Sequence, residues 1–382
     1  MYAYQSLRDN HVSHPKIIKK PPWRIALIAN VIDDYEGNLD DPPDAGAEFD
    51  KRMTVEAIAN ALEADGHYVH LIVADHSLPE ALMNFRPHIC FNIAEGIIGD
   101  GREAQVPALL ELLAIPYTGS RVVTNSISLD KTQTKRIWRE SGLPTAPFRE
   151  FTSPDGVHNT ALRFPLFVKP SREGTGMGID SSAVVRNHKQ LAERVSWVIS
   201  TYKQPALVEE YLPGREFTVG FIGNQGTKRG QYRTNLYDGT GYHWFPVLEI
   251  DTQSSISPGI YGHAAKEKEI HADGAPEYLC PADISEELSG RLINLARRAA
   301  QALEVLDFGR VDFRMGARGE PYLLEINTLP GLNPSLSDLC IMAQAEGVQY
   351  DTLITEILYL AAERYDLPSP TADLNADPEK PA

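Results

Sequence analysis

Near the end of this 382-residue chain, Gly309-Arg310-Val311-Asp312-Phe313-Arg314-Met315 is followed by a short turn and then by Pro321-Tyr322-Leu323-Leu324-Glu325-Ile326-Asn327. Successive side chains of a strand point to opposite faces, so the pattern reads as a hairpin with Arg310 and Asp312 on one face and Glu325 and Asn327 on one face. Centring the turn between Arg318 and Gly319 sets Asp312 opposite Glu325 and Arg310 opposite Asn327. Two carboxylates directly opposed across a ladder repel, which calls for a cation between them. Oxygen donors of this kind suit Mg²⁺ or Mn²⁺, hard ions that commonly also hold nucleotide phosphates. A solvated hairpin face explains the same alternation equally well on this segment alone, so the rest of the chain has to supply the phosphates.

The length exceeds one ordinary core, and two or three domains are expected. A content of 42% hydrophobic and 23% charged residues is that of a soluble globular protein. The formal net charge of −16 opposes a nucleic-acid partner in the absence of a basic patch. Lys16, Lys19, Lys20 and Arg24 lie beside the N-terminal arm, which reads as a solvated tail. Cys90, Cys280 and Cys340 are far apart and lack metal-ligand spacing, so buried structural thiols are expected. No leader pattern and no apolar run long enough for a membrane span is visible, which points to a cytoplasmic protein with no membrane partner.

Arg24 to Val31 reads as a buried strand, Lys51 to Asp65 as an amphipathic helix capped by Gly66, and Tyr68 to Val73 as the next strand. This order is the signature of a parallel α/β layer. Ile89 to Ile93 is strand-like and Ala104 to Ala114 helix-like. Between Asp33 and Asp50 stand eight acidic residues and no basic one. A mobile, solvated loop is the favoured reading over a cation- or ammonium-binding site, although ligands often sit after the first strand of an open α/β sheet. His67, His70, His76 and His88 are irregularly spaced, and no metal site is expected from them.

A helix is expected from Asp130-Lys131 to Ser141-Gly142, and a strand from Phe164 to Lys169. The strand runs into Ser171-Arg172-Glu173-Gly174-Thr175-Gly176-Met177-Gly178 and then an extended run, Ile179 to Val185. Without a following helix or a Gly-Lys-Ser/Thr end this is neither a Walker loop nor a dinucleotide fingerprint. A glycine-rich hairpin can instead fold over phosphates as a flap, with backbone N–H groups and a lysine from the adjoining strand, here Lys169. Asn187 to Tyr202 reads as a helix. Pro205 to Tyr211 reads as a strand ending in Glu209-Glu210, either a solvated end or a place for a nucleotide's base and sugar, and Glu216 follows on the next strand. Residues 226 to 267 read as irregular structure or a lid, with Phe245 to Ile250 strand-like. Helices are expected over Asp283 to Val305, with Asp283 and Glu286 as a capping box, and over Asp351 to Tyr365. The resulting domains are 1–127, 128–226 and 227–368, with a disordered tail over 369–382.

Taken in order, FNIAEGIIGDGREAQVPALLELLAIPYTGS (Phe91 to Ser120), LDKTQTK (Leu129 to Lys135), FVKPSREGTGMGI (Phe167 to Ile179), LVEEYLPGREFTVGF (Leu207 to Phe221), IYGHAAKEK (Ile260 to Lys268) and GRVDF…LLEINTLPGLNPS (Gly309 to Ser335) resemble the ATP-grasp superfamily. Within it they resemble the D-alanine-D-alanine ligase family. The resemblance implies a mixed α/β chain with an N-terminal parallel-sheet domain ahead of an ATP-grasp fold. It implies that Lys131 and Lys169 hold the ATP phosphates beneath a flap that includes Glu173, Gly174, Thr175 and Gly176. Glu209, Glu210, Tyr211 and Leu212 would frame the adenine, with Glu216 on the ribose. Lys266 would reach the terminal phosphate. Asp312, Glu325 and Asn327 would hold a pair of Mg²⁺ or Mn²⁺ ions, while Arg310 and the Gly331 backbone would stabilise the transferring phosphoryl group and the oxyanion. The implied chemistry is ATP-driven joining of a carboxylate to an amine through an acyl phosphate, acting on small amino-acid-like substrates. Homodimers are usual in the similar family.

The departures lie in the amino-acid pocket. Where the family has a Gly-Gly-x-Ser-x-Glu-His motif, this chain reads Asn30-Val31-Ile32-Asp33-Asp34-Tyr35-Glu36. Glu95 stands where a His is common, Thr175 at a substrate-side Ser, and Leu336 in place of a Ser flanked by Ser335 and Ser337. Three readings therefore stay open: a D-alanine-D-alanine ligase, a ligase of the same lineage joining other amino acids or a specialised metabolite, and a non-catalytic nucleotide-binding module.

Overall fold

The computed structural model describes residues 22–35, 37, 41–226, 236–253, 255, 259–266 and 272–367. The basic N-terminal cluster up to Lys20, the 369–382 tail and part of the expected lid, including 227–235, lie outside these residues.

The first layer is a parallel sheet of β1 (Arg24–Ala29), β2 (Tyr68–Val73) and β3 (Ile89–Asn92) in the order β2-β1-β3. Buried on both sides, β1 carries the near-continuous apolar run expected of a central parallel strand. Helix α1 (Arg52–Ala64) follows β1 and buries Val55, Ile58, Ala61 and Leu62. Helices α2 (Leu78–Phe85) and α3 (Gln105–Leu112) flank β3. Helix α4 (Val122–Leu129) then leads into α5 (Lys131–Glu140), where the Asp130 carboxylate accepts from Gln133 N at 2.9 Å and so starts the helix on its expected residue.

The middle sheet is antiparallel, in the order β4-β7-β5-β6, from β4 (Phe148–Phe151), β5 (Leu166–Pro170), β6 (Val184–Val185) and β7 (Ala206–Glu210). Helix α6 (His188–Tyr202), capped by Asn187, covers it. The extended run expected over 179–185 is shorter than its sequence suggests. The Asp180 carboxylate accepts from Ser182 N at 2.7 Å and closes one helical turn over Ser181–Ala183, leaving only β6 to pair with β5.

The third sheet contains β8 (Glu216–Gly223), β9 (Tyr242–Trp244), β10 (Leu248–Asp251), β11 (Glu277–Leu279), β12 (Phe308–Met315) and β13 (Pro321–Asn327). Its path is β11-β10-β8-β12-β13, with β9 also on β8. Helix α7 (His263–Lys266) lies between β10 and β11. Helix α8 (Glu286–Ala302) buries Leu292, Leu295, Ala296 and Ala299. It is capped by Ser285, whose Oγ accepts from Leu288 N at 3.2 Å, so the expected Asp283 capping box is replaced by a cap two residues later. Helices α9 (Asp338–Ala345) and α10 (Tyr350–Arg364) close the chain, and α10 packs on α1 of the first layer.

Two buried polar junctions hold the layers together. Asp307 accepts from Gly119 N at 2.8 Å and from Asn224 Nδ2 at 2.8 Å, and its Oδ2 lies 2.8 Å from Arg364 Nη2. At the second, Trp23 stacks on His67, with ring centroids 5.3 Å apart, and the Tyr359 hydroxyl donates to Asp65. No helix among the described residues is long and apolar enough to cross a membrane.

Candidate active site

The β12–β13 hairpin sets the geometry. Arg310 lies opposite Asn327 and Asp312 opposite Glu325, as the alternation predicts. Beyond that pair the register shifts, Phe313 facing Leu323, so Leu324 is an extra residue on β13. A bulge of this kind re-aims side chains and sits here directly beside the paired carboxylates. Asp312 is held from three sides: Thr218 Oγ1 donates to it at 2.6 Å, Asn327 Nδ2 at 3.0 Å, and Arg310 Nε and Nη2 at 2.9 Å each. Arg310 Nη1 also lies 3.2 Å from Asp338 Oδ2 at the start of α9.

Two lysines expected at the phosphates converge on the same place. Lys131 opens α5, donates to Glu173 O in the flap and stands 3.5 Å from Glu325 Oε2. Lys169 on β5 lies 3.2 Å from Glu209 Oε2. One helical turn beyond Lys131, Lys135 is wholly buried 2.7 Å from Glu209 Oε1 and donates to Thr145 Oγ1 at 2.8 Å. Burial works against every charge in this cluster. It pulls the Lys135 ammonium below its ordinary pKa, whereas Glu209 and Glu325 more than offset it at Lys169, which is raised. Burial also opposes ionisation of Glu209, but Lys135 and Lys169 hold its carboxyl below the usual range.

A cleft of about 820 Å³, its open mouth included, runs between the middle and third sheets over these groups. Lys131, Lys169, Glu173, Gly176, Glu209, Glu210, Tyr211, Leu212 and Glu216 all line it, together with Asp312 and Glu325. Phe167 and Tyr211 stack at 6.4 Å to form an aromatic wall. The Glu209 carboxylate is occupied by the two lysines, and Glu210 is turned to Arg163, whose Nη2 donates to it at 2.9 Å. Arg314 escaped the sequence reading. It donates to Glu216 at 2.6 Å, to Leu212 O at 2.9 Å and to Gly259 O at 2.6 Å, tying three parts of the cleft together. The signal was present, since Arg314 continues the alternation of Arg310 and Asp312. Lys135 likewise sits at helical spacing from Lys131.

A second cleft, lined by Arg310, Asn327, Gly331, Gly174, Thr175, Leu336 and Asp338, meets the first at Lys131, Glu325 and Tyr261. The flap covers the junction. Gly176 has φ +72°, and a Cβ there would come within 2.7 Å of His263 N, so close packing on the segment leading into α7 requires glycine. Lys266 ends α7, and its side chain lies outside the described residues.

The acidic 33–50 loop departs from the solvated loop expected of it. Glu48 Oε1 accepts from Gly174 N at 2.5 Å, and Asp44 accepts from Gly178 N at 2.8 Å and from the Tyr202 hydroxyl. Flap amide groups need acceptors, and the loop's carboxylates supply them.

The oxygen donors suit the ion expected at the hairpin. Mg²⁺ is characteristically held by one or two carboxylates plus phosphate oxygens and water, which is what the facing Asp312 and Glu325 beside Asn327 offer next to two lysines. Among the described residues no group of three His, Cys, Asp or Glu is placed to hold a metal unaided.

The family model described as "D-ala D-ala ligase C-terminus" matches residues 137–359. The chain belongs to the D-alanine-D-alanine ligase family. A D-alanine--D-alanine ligase of Aquifex aeolicus is 32% identical over 306 residues, covering 80% of this chain and 93% of its own length. An uncharacterized protein, y4sG, of Sinorhizobium fredii is 32% identical over 356 residues, covering 90% of this chain and 98% of its own. Among solved structures, a Bacillus anthracis D-alanine--D-alanine ligase complexed with ATP superimposes with a TM-score of 0.66 at 20% identity, covering 90% of this chain and 99% of that one. This ligase family member has the ATP-grasp fold, and it is an ATP-grasp enzyme of the amide-forming type. The family match begins within α5 and ends within α10, so Lys131 and Lys135, like Glu48 and Glu95, lie ahead of it.

Proposed function

We propose that the protein is an ATP- and Mg²⁺-dependent carboxylate–amine ligase working through an acyl phosphate. The observation that carries this reading is the meeting of the two clefts at Lys131 and Glu325, with Arg310 beyond. The first cleft takes ATP, its base against the Phe167–Tyr211 wall and its phosphates toward Lys131 and Lys169. Asp312, Glu325 and Asn327 would hold Mg²⁺, which when bound supplies positive charge to phosphate oxygens.

A substrate carboxylate in the second cleft attacks the γ-phosphorus in line, and ADP departs with the electron pair of the broken P–O bond. Lys131 and Lys169 hold the phosphates in place. The amine of a second substrate, in its neutral form, then attacks the acyl carbon. Arg310 and the Gly331 N–H stabilise the tetrahedral oxyanion, donors of a kind typically worth about 10²–10³ each in rate. Phosphate leaves with the former carboxylate oxygen, and the amine proton passes to it or to water. The flap and the docked 33–50 loop exclude water from the acyl phosphate.

ADP release with ATP and Mg²⁺, measured against D- and L-amino acids singly and in pairs, tests the assignment. Turnover with D-alanine alone, yielding D-alanyl-D-alanine, would give this chain the activity in its relatives' names. Turnover only with other amino acids selects a different pair, and absence of turnover with every combination contradicts the ligase reading.

A further inference from the structure

Arg310 stands between two carboxylates that belong to different clefts. Asp312 lines the first cleft, Asp338 lines the second beside Gly331, and the Arg310 side chain reaches both. The three side chains are at most 12% exposed, so solvent does little to screen them.

On Asp312 the arginine uses a fork that leaves the carboxylate no acceptor position to spare. Oδ1 accepts from Thr218 Oγ1 at 2.6 Å and from Arg310 Nε at 2.9 Å. Oδ2 accepts from Arg310 Nη2 at 2.9 Å and from Asn327 Nδ2 at 3.0 Å. Two carboxylate oxygens offer about four lone-pair positions, and these donors fill them. Mg²⁺ bonds its oxygen ligands at about 2.0–2.1 Å and needs one of those positions. Thr218 and Asn327 are neutral and stay. Arg310 carries the same sign of charge as the ion, so its fork is what gives way.

Asp338 is already placed to receive it, with Oδ2 3.2 Å from Arg310 Nη1. The turn ahead of Asp338 is fixed without help from Arg310. Ser337 N donates to Asn333 O at 3.1 Å, and Asn333 N donates to Ser337 Oγ at 2.8 Å. Asn333 Oδ1 accepts from Ser335 N and Leu336 N, while its Nδ2 donates to Thr54 Oγ1 of α1 at 3.0 Å. Beyond Asp338, α9 packs on β8, where Gly220 N donates to Met342 Sδ at 3.3 Å.

We propose that Asp338 is a positioning residue that gives Arg310 a second seat. With a divalent ion on Asp312, the guanidinium turns onto Asp338 and brings its freed N–H groups into the second cleft beside Gly331. Arg310 is thereby masked until metal and nucleotide are in place, and only then faces the transferring phosphoryl group and the oxyanion. The inference rests on the metal assignment within the ligase reading, but not on which amino acids are joined.

Crystal structures of the unmodified protein with ADP, with and without Mg²⁺, test it directly. With the ion on Asp312 we expect two Arg310 nitrogens on Asp338, and Nε or Nη2 beyond about 3.5 Å from Asp312. An ion bound to Asp312 with both of those hydrogen bonds intact overturns the inference. In solution, Mn²⁺ binding in the presence of ADP is read by electron paramagnetic resonance. Asp338→Asn removes the charged second seat, so the Kd for Mn²⁺ should rise about tenfold. In an Arg310→Gln background no fork has to move, and the same change should shift the Kd less than about twofold. Equal shifts in the two backgrounds would mean that Asp338 acts through its charge alone, and no shift in either that it only braces α9. Both results overturn the inference, as does absence of Mn²⁺ binding with ADP. Thermal unfolding shows whether each variant is folded, and if Arg310→Gln is not, the crystal structures decide alone. Neither measurement needs turnover, so failure of the ligase assay is read apart from failure of this inference.

Discussion

Lys131 Nζ stands 3.5 Å from Glu325 Oε2 where the two clefts meet, so the first residue of α5 and a carboxylate of the β12–β13 hairpin face each other at their junction. Removing the carboxylate charge weakens any divalent ion held there while leaving Lys131 in place. Glu325→Gln is expected to raise the Mg²⁺ concentration needed for half-maximal ADP formation at least about tenfold. A Mg²⁺ titration checks this, and an unchanged midpoint contradicts the metal assignment.

Asp312 has two duties, since it accepts from Arg310 as well as facing Glu325. Asp312→Asn together with Glu325→Gln should therefore abolish Mg²⁺-dependent ADP formation with the fold intact. Circular dichroism and an ADP assay on the same preparation separate the two effects, and wild-type turnover would sink the assignment.

Lys135 is fully buried and shares Glu209 with Lys169. Truncating it leaves a buried carboxylate with one cation instead of two. Lys135→Met is expected to cost about 3 kcal/mol in urea unfolding, in the range found when one partner of a buried ion pair is removed. A loss under about 1 kcal/mol would show that Lys169 alone suffices.

Stability should also fall as pH rises through neutrality. Asp50 and Glu103 have folded-state pKa values raised to about 7 and about 8, mainly by burial. Their contribution is therefore fully present below the ordinary carboxyl range and is lost as pH rises through those values. With the native state binding more protons than the unfolded one, unfolding free energy declines between about pH 5 and pH 8, on the order of a few kcal/mol. Urea midpoints across that range check the sign, and the Glu95→Gln, Glu103→Gln variant should flatten the slope.

What could be read from residues alone follows from the range of the forces involved. Strand alternation and helical periodicity are local, so the Asp312–Glu325 pairing and the helix starts at Asp130-Lys131 and Asn187 were visible in the chain. The Leu324 bulge was not, because an extra residue on one strand shows only against its partner. The docking of Glu48 and Asp44 on the flap escaped for a similar reason. Eight acids without a base read as a solvated loop until Gly174 and Gly178 bring their N–H groups, more than a hundred residues away, into reach. Arg314 lay in plain view within the alternating strand, yet its partners Leu212, Glu216 and Gly259 come from other segments.

The central claim is that ATP activates a carboxylate as an acyl phosphate, and oxygen labelling tests it most directly. With amino acids carrying ¹⁸O in their carboxyl groups, the reaction should transfer one labelled oxygen to each inorganic phosphate, in step with ADP. ADP formed with unlabelled phosphate, or no ADP with any labelled amino acid, would contradict it.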